Sequence, residues 1–241
     1  MKTRIIQDEP EAGEAGRGPE GGSGAPQPDR NSPWLRRGVV FLAVAGYFVL
    51  GVVHPPDPEV GDESTLFFYL HVFQPVLIGL VAWSLILLVE DLPGRAAQIT
   101  RYAVIPYAIA YTIFDSIIGI SVGMIVREAN SMSSADAAAV KRMVDGIGGE
   151  LVPYAAWAAS GLTWLVAAGA TAIAVKQVGG RGPSTLMAIG AVVFAVGHPF
   201  PSGPIGIGLF GLGVVWLELR RARASVPAPV PAPESQPVLA P

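Results

Sequence analysis

Residues 65–89 read TLFFYLHVFQPVLIGLVAWSLILLV, an apolar run with no Asp, Glu, Lys or Arg from one end to the other. A helix rises about 1.5 Å per residue, so this run outspans a hydrocarbon core of about 30 Å. A helix that is apolar on every side needs either a large protein interior or lipid around it. The chain has only 241 residues, 51% of them hydrophobic and 15% charged, against about 25% charged in soluble domains. Lipid is therefore the expected surrounding, and the mean hydropathy of +0.48 agrees with it.

Working outward from this run, comparable stretches lie at 38–53, 102–126, 151–175, 184–198 and 204–219. The expectation is an all-α integral membrane protein, with a bundle of six transmembrane helices across residues 34–221. The runs at 65–89, 102–126 and 151–175 cross a bilayer with length to spare. Those at 38–53, 184–198 and 204–219 fall below about 17 residues and must borrow flanking residues or thin the bilayer.

Charge sorts the connections. Arg36 and Arg37 precede the first run, Arg95 and Arg101 fill the second connection, Lys176 and Arg181 the fourth, and Arg220, Arg221 and Arg223 follow the last. The segment from His54 to Glu63 carries four acids and neither Lys nor Arg. Short cytoplasmic loops retain basic residues, so both termini are expected in the cytoplasm, with the protein multi-pass in a plasma membrane. A re-entrant hairpin from Ser184 to Leu219 satisfies the same charge rule. The heavy use of Ala, Gly, Val, Pro and Arg resembles that of high-GC bacterial proteins.

The ends differ from the middle. Residues 1–33 are rich in Gly, Pro, Glu and Asp and hold too little apolar surface to offset ordering entropy, so they read as a disordered cytoplasmic tail. They also lack the early apolar core of a secretory signal. Residues 222–241, including SVPAPVPAPESQPVLAP, read as a second disordered tail, since recurrent Pro favours extended backbone. Between the third and fourth runs, Ser134, Asp136 and Gly146 suit the start and end of a short loop helix near 134–145. Its Ala137, Val140 and Val144 recur at helical spacing and expect a surface to pack on.

Several chemistries are excluded or weak. With no cysteine, disulfides, thiol nucleophiles and cysteine-ligated metals are absent. A net charge of −3 without a basic, aromatic-studded stripe gives no sign of nucleic-acid binding. No Gly-x-Ser-x-Gly, phosphate loop or dinucleotide fingerprint occurs, and Ser160-Gly161 and the glycines at 206, 208, 211 and 213 read as close-packing positions.

What remains is a sparse polar set on apolar helices. Asp115 is the one carboxylate deep inside a run, and Tyr107 and Tyr111 precede it at intervals of four, on one helical face. A charged group in a bilayer core costs about 2.5–3.5 kcal/mol on insertion scales, so Asp115 needs a reason to be there. It can share a proton or hold a cation with the tyrosines, or simply join helices as a hydrogen-bonding group. His71, Gln74 and Tyr69 lie close in sequence, and Pro75 cannot donate to the His71 carbonyl, which leaves a local polar pocket there.

The three histidines, His54, His71 and His198, share the non-basic side of the expected bundle, and His54 and His198 sit in similar Val-rich stretches ending in His-Pro. Three imidazoles at one depth could bind a metal, with Asp115 or Glu150 beside them, and a facing pair could ligate haem. No HExxH or other paired-histidine spacing supports this, so no cofactor is expected on balance. The favoured reading is a non-enzymatic membrane protein that binds or transports a small solute through Asp115, Tyr111, Tyr107, His71 and Gln74. The alternatives are a metal or haem enzyme built on His54, His71 and His198, and a scaffold whose tails hold a protein partner.

Overall fold

The computed structural model describes residues 33–55, 63–196 and 201–224, which are all helix and short turns. In chain order the helices are α1 (Pro33–Val53), α2 (Glu63–Val89), α3 (Arg95–Phe114), a π-helical segment (Asp115–Ser121), α4 (Val122–Ala129), α5 (Ser134–Ile147), α6 (Leu151–Gln177), α7 (Arg181–Val196) and α8 (Ser202–Ala224). Pro33 and residues 222–224, expected in the disordered tails, are instead the first residue of α1 and the last turn of α8, where helical hydrogen bonding continues past the apolar run; the rest of the expected tails and His198 lie outside the described residues.

Five helical runs are long and apolar enough to cross a membrane: Trp34–Val53, Glu63–Val89, Arg95–Ala129, Leu151–Gln177 and Ser202–Ala224. The first and last are longer than the apolar runs at 38–53 and 204–219, because the helices continue through their polar flanks. Arg36 and Arg37 lie inside α1, and Arg220, Arg221 and Arg223 inside α8, where last-turn cations suit the helix dipole. The helix α7 remains short at 16 residues. Large apolar side chains such as Leu42, Phe73, Val76, Ile105, Leu162 and Leu212 are exposed around the bundle, a surface compatible with lipid contact.

Proline placement follows helix physics. Pro153, Pro183 and Pro204 each occupy the third position of their helix, where the missing N–H had no intrahelical partner to lose. Pro75 and Pro106 instead lie inside α2 and α3, where each removes a ladder bond.

At the basic end, side chains from distant parts of the chain interlock. Glu218 on α8 is buried and takes Arg221 at 2.7 Å, Arg36 at 3.3 Å and Arg37 at 3.7 Å, while Arg36 also reaches Asp91 at 3.2 Å. Arg221 donates to the Leu88 carbonyl, and Arg101 to those of Val89 and Glu90, so two guanidinium groups satisfy the carbonyls that end α2.

The helices α7 and α8 pack backbone to backbone. A Cβ on Gly190 would lie 2.4 Å from the Phe210 nitrogen, and one on Gly206 would lie 2.3 Å from the Phe194 nitrogen. Small residues allow such approach where no hydrophobic drive separates helix from lipid. The helices α3 and α6 share a buried polar rung, with the hydroxyls of Thr100 and Thr171 3.2 Å apart.

The loop helix forms as α5, although its cap differs from the expected Ser134. The Ser133 hydroxyl accepts from the Asp136 N–H at 3.3 Å and donates to the Asp136 carboxylate at 2.7 Å, which starts the helix at Ser134. Val144 is buried against Val122 and Val126 of α4, with Val140 beside them. This helix therefore rests on the bundle.

Candidate functional site

The polar groups gather at the end of the bundle opposite Arg36, Arg37, Arg101 and Arg221. His54 follows the last residue of α1, His71 and Gln74 lie two turns into α2, Tyr107 and Tyr111 line α3, and Asp115 opens the π-helical segment. All six are buried. A π-turn inserts one extra residue into the helical ladder and often marks a functional site. Here it coincides with the single intramembrane aspartate.

The approach of this segment to α2 depends on a missing side chain. A Cβ on Gly119 would lie 2.1 Å from Cδ2 of the His71 ring, and one on Gly123 would lie 3.2 Å from the Phe68 Cα. The two glycines let the π-helical backbone and the start of α4 lie directly on the imidazole-bearing face of α2. Phe67 fills the other side, with its ring centroid 4.1 Å from that of His71 and 5.6 Å from that of His54.

The hydrogen bonds of the two histidines fix their chemistry. His71 Nδ1 lies 2.7 Å from the Phe67 carbonyl oxygen, and His54 Nδ1 contacts the Pro55 carbonyl. A carbonyl oxygen can only accept, so both Nδ1 atoms carry hydrogen and donate. The Nε2 atoms then face each other at 3.1 Å. In two neutral rings each of these nitrogens presents a lone pair, and two lone pairs at this distance repel. A positive centre shared between them turns that repulsion into attraction. Burial also pushes the His54 imidazole below its ordinary value.

Asp115 stands beside this pair, with Oδ1 3.8 Å from His71 Nε2. Neither of its carboxylate oxygens has a hydrogen-bond partner among the described residues, although the side chain is only 1% exposed. A buried carboxylate in that condition favours a nearby cation or proton. One turn before it, Tyr111 accepts from Gln74 Nε2 at 3.1 Å, and Tyr47 of α1 lies 3.4 Å from the same nitrogen. Gln74 Oε1 is likewise buried and partnerless among the described residues. A cavity of about 20 Å³ borders Tyr107 and Tyr111 on their far side, against Ser160, Gly161 and Trp164, large enough for one water.

The expected set is therefore divided. His71, Asp115 and His54 come together, and Gln74 and Tyr111 form an adjoining hydrogen-bonded group. Tyr107 is buried with its ring 5.8 Å from that of Tyr111 and 5.3 Å from that of Trp164, which makes it part of the packing around the site. Tyr69 points away, 51% exposed, so the pocket expected around His71, Gln74 and Tyr69 does not include it. The physical reason is helical angle: Tyr69 precedes His71 by two positions, which puts it on another face. Glu150 is exposed just before α6.

Tyr47 was absent from the expected set. Its signal was available: it is the only polar side chain in the apolar stretch 38–53 of α1. Ser160 has no nucleophile's setting, because its hydroxyl donates to the Trp157 carbonyl at 2.7 Å. The 3.1 Å gap between the two Nε2 atoms leaves no slot for a haem between these rings. Among the described residues no three His, Cys, Asp or Glu side chains converge on one point as a ready metal cage.

No family model, curated protein or solved structure matches this chain.

Proposed function

We propose that this chain is a multi-pass membrane protein with six crossings and both termini in the cytoplasm, and that it binds a small cationic solute in the outer half of its bundle. The observation that carries this reading is Asp115, buried with both oxygens partnerless among the described residues and 3.8 Å from His71. An acid in an apolar bundle is retained where it meets charge, and the facing Nε2 atoms of His54 and His71 ask for the same positive centre. Gln74 Oε1, turned into the bundle beside Tyr47 and Tyr111, adds a neutral acceptor next to it. The arginine-rich end supports the orientation, since it unites the start of α1, the end of α2, the start of α3 and the end of α8 on one side.

The test is the thermal stability of the purified protein in detergent, at constant ionic strength, across a series of cations from Na+, K+ and tetramethylammonium to Mg2+, Co2+ and Zn2+. Binding to the native state raises the melting temperature by mass action. At least one cation is expected to stabilise the wild type and to lose that effect in Asp115→Asn. If no cation in the series distinguishes the two proteins, the reading is wrong.

A further inference from the structure

The position of every hydrogen on the two imidazoles narrows the class of cation. In resting on the cation-binding reading above, the inference concerns which cation the centre is built to take. Both Nδ1 atoms are committed as donors to backbone carbonyls, at Pro55 and Phe67. This is the outer-shell arrangement that metal-ligating histidines adopt, because it fixes the tautomer, holds the ring plane and leaves Nε2 as a lone-pair donor. It occurs here on both members of a contacting pair.

The distances agree with a shared ion. Nitrogen ligands lie about 2.0–2.1 Å from zinc, so two nitrogens 3.1 Å apart can both reach one ion with an angle between them of about 100°. The ring centroids are 4.8 Å apart with the planes at 77°. Rings meeting head-on across an N–H···N bond of that length would hold their centroids farther apart. The ring axes are thus bent off the nitrogen–nitrogen line, which weakens a hydrogen bond and suits two ligands at one corner of a tetrahedron.

Charge and openness set the rest. Asp115 lies beside His71, with Oδ1 3.8 Å from Nε2, and among the described residues the three side chains do not already converge as a closed cage. It neutralises one positive charge in an apolar setting and can supply an oxygen ligand through a side-chain adjustment. Two imidazoles and one carboxylate leave at least one position of a four-coordinate ion for an exchangeable ligand. Structural zinc sites are closed, whereas an open one belongs to an ion that is delivered, passed on or used.

We propose that His54 Nε2 and His71 Nε2, with Asp115 as the balancing carboxylate, form a membrane-embedded site for a single borderline-soft divalent cation such as Zn2+ or Co2+. Imidazole nitrogen selects for these ions over Mg2+ and Ca2+, which prefer oxygen.

The probe is Co2+, added to the full-length, tag-free protein in detergent and followed by visible absorption and by equilibrium dialysis. One equivalent is expected to bind with the strong ligand-field bands of a four-coordinate site, to be displaced by Zn2+, and to ignore excess Mg2+. His54→Gln and His71→Gln are each expected to lower affinity by at least about a hundredfold, with Asp115→Asn about tenfold. Size-exclusion profiles and melting temperatures verify that each variant is folded, and the wild-type titration needs no variant at all. Absence of stoichiometric Co2+ and Zn2+ binding to the wild type overturns the inference, as does binding that survives in both folded histidine variants. An Asp115-dependent response to monovalent cations without Co2+ or Zn2+ binding would sink the metal assignment while leaving the cation-binding reading standing. Loss of both would remove both.

Discussion

Gly119 lies so close to His71 that a methyl group in place of its hydrogen would sit 2.1 Å from ring atom Cδ2. Alanine is ordinarily favoured over glycine in a helix by about 1 kcal/mol. Here the ring cannot retreat, because its Nδ1 is tied to the Phe67 carbonyl and its Nε2 faces His54. Overpacking a well-filled position costs about 1–3 kcal/mol, so the clash outweighs the propensity gain. Gly119→Ala is expected to lower the melting temperature in detergent, and an unchanged or higher value would show that the π-helical segment moves freely against α2.

Gly190 presents a harder obstacle. Its added Cβ would meet the Phe210 nitrogen at 2.4 Å and the Gly206 carbonyl oxygen at 2.5 Å, both backbone atoms that cannot rotate away. Gly190→Ala is therefore expected to destabilise more than Gly119→Ala, by about 3 kcal/mol or more, since α7 and α8 must separate as bodies. Thermal unfolding of the two variants side by side checks the order.

Glu218 holds three guanidinium groups from two ends of the chain. Removing one partner of a buried ion pair costs more than the pair contributes, although Arg36, Arg37 and Arg221 retain some water contact that softens the loss. Glu218→Ala is expected to destabilise by about 2–3 kcal/mol, and Glu218→Gln by less, as the amide still accepts one hydrogen bond. Equal melting temperatures for wild type and Glu218→Ala would contradict this.

Val144 is the contact by which α5 sits on α4, with Val122 and Val126 beneath it. Val144→Asp places a charge on that apolar patch and should release α5 alone. Faster proteolytic cleavage near Ser131–Ser133, with the bundle's melting temperature unchanged, is the expected outcome. A matching fall in bundle stability would mean instead that α5 unfolds together with the bundle.

The long apolar runs made the membrane-length helices readable, because 65–89 carries no Asp, Glu, Lys or Arg. Helix ends were less readable, since hydropathy drops at Arg36 and Arg220 while helical hydrogen bonding does not. The site was half legible. Asp115, Tyr111 and Tyr107 follow the 3.6-residue period, and His71 and Gln74 lie within one turn of each other. That period cannot reveal which helices become neighbours, so the contact between His54 and His71 emerges only from packing, whereas Tyr47 could have been noticed as the one polar side chain of 38–53. The π-turn at Asp115 has no composition signature in DSIIGIS beyond Gly119. Nothing in the sequence singles out Glu218, because its partners Arg36 and Arg37 lie more than 180 residues away.

That separation has a consequence for biogenesis. The helix α1 is made with Arg36 and Arg37 more than 180 residues before α8 supplies their shared carboxylate. Until then α1 has no ionic latch to α8. A chain lacking α8 would leave Arg36 with Asp91 alone and Arg37 without its carboxylate, so the basic end is fastened by the helix furthest from it in sequence.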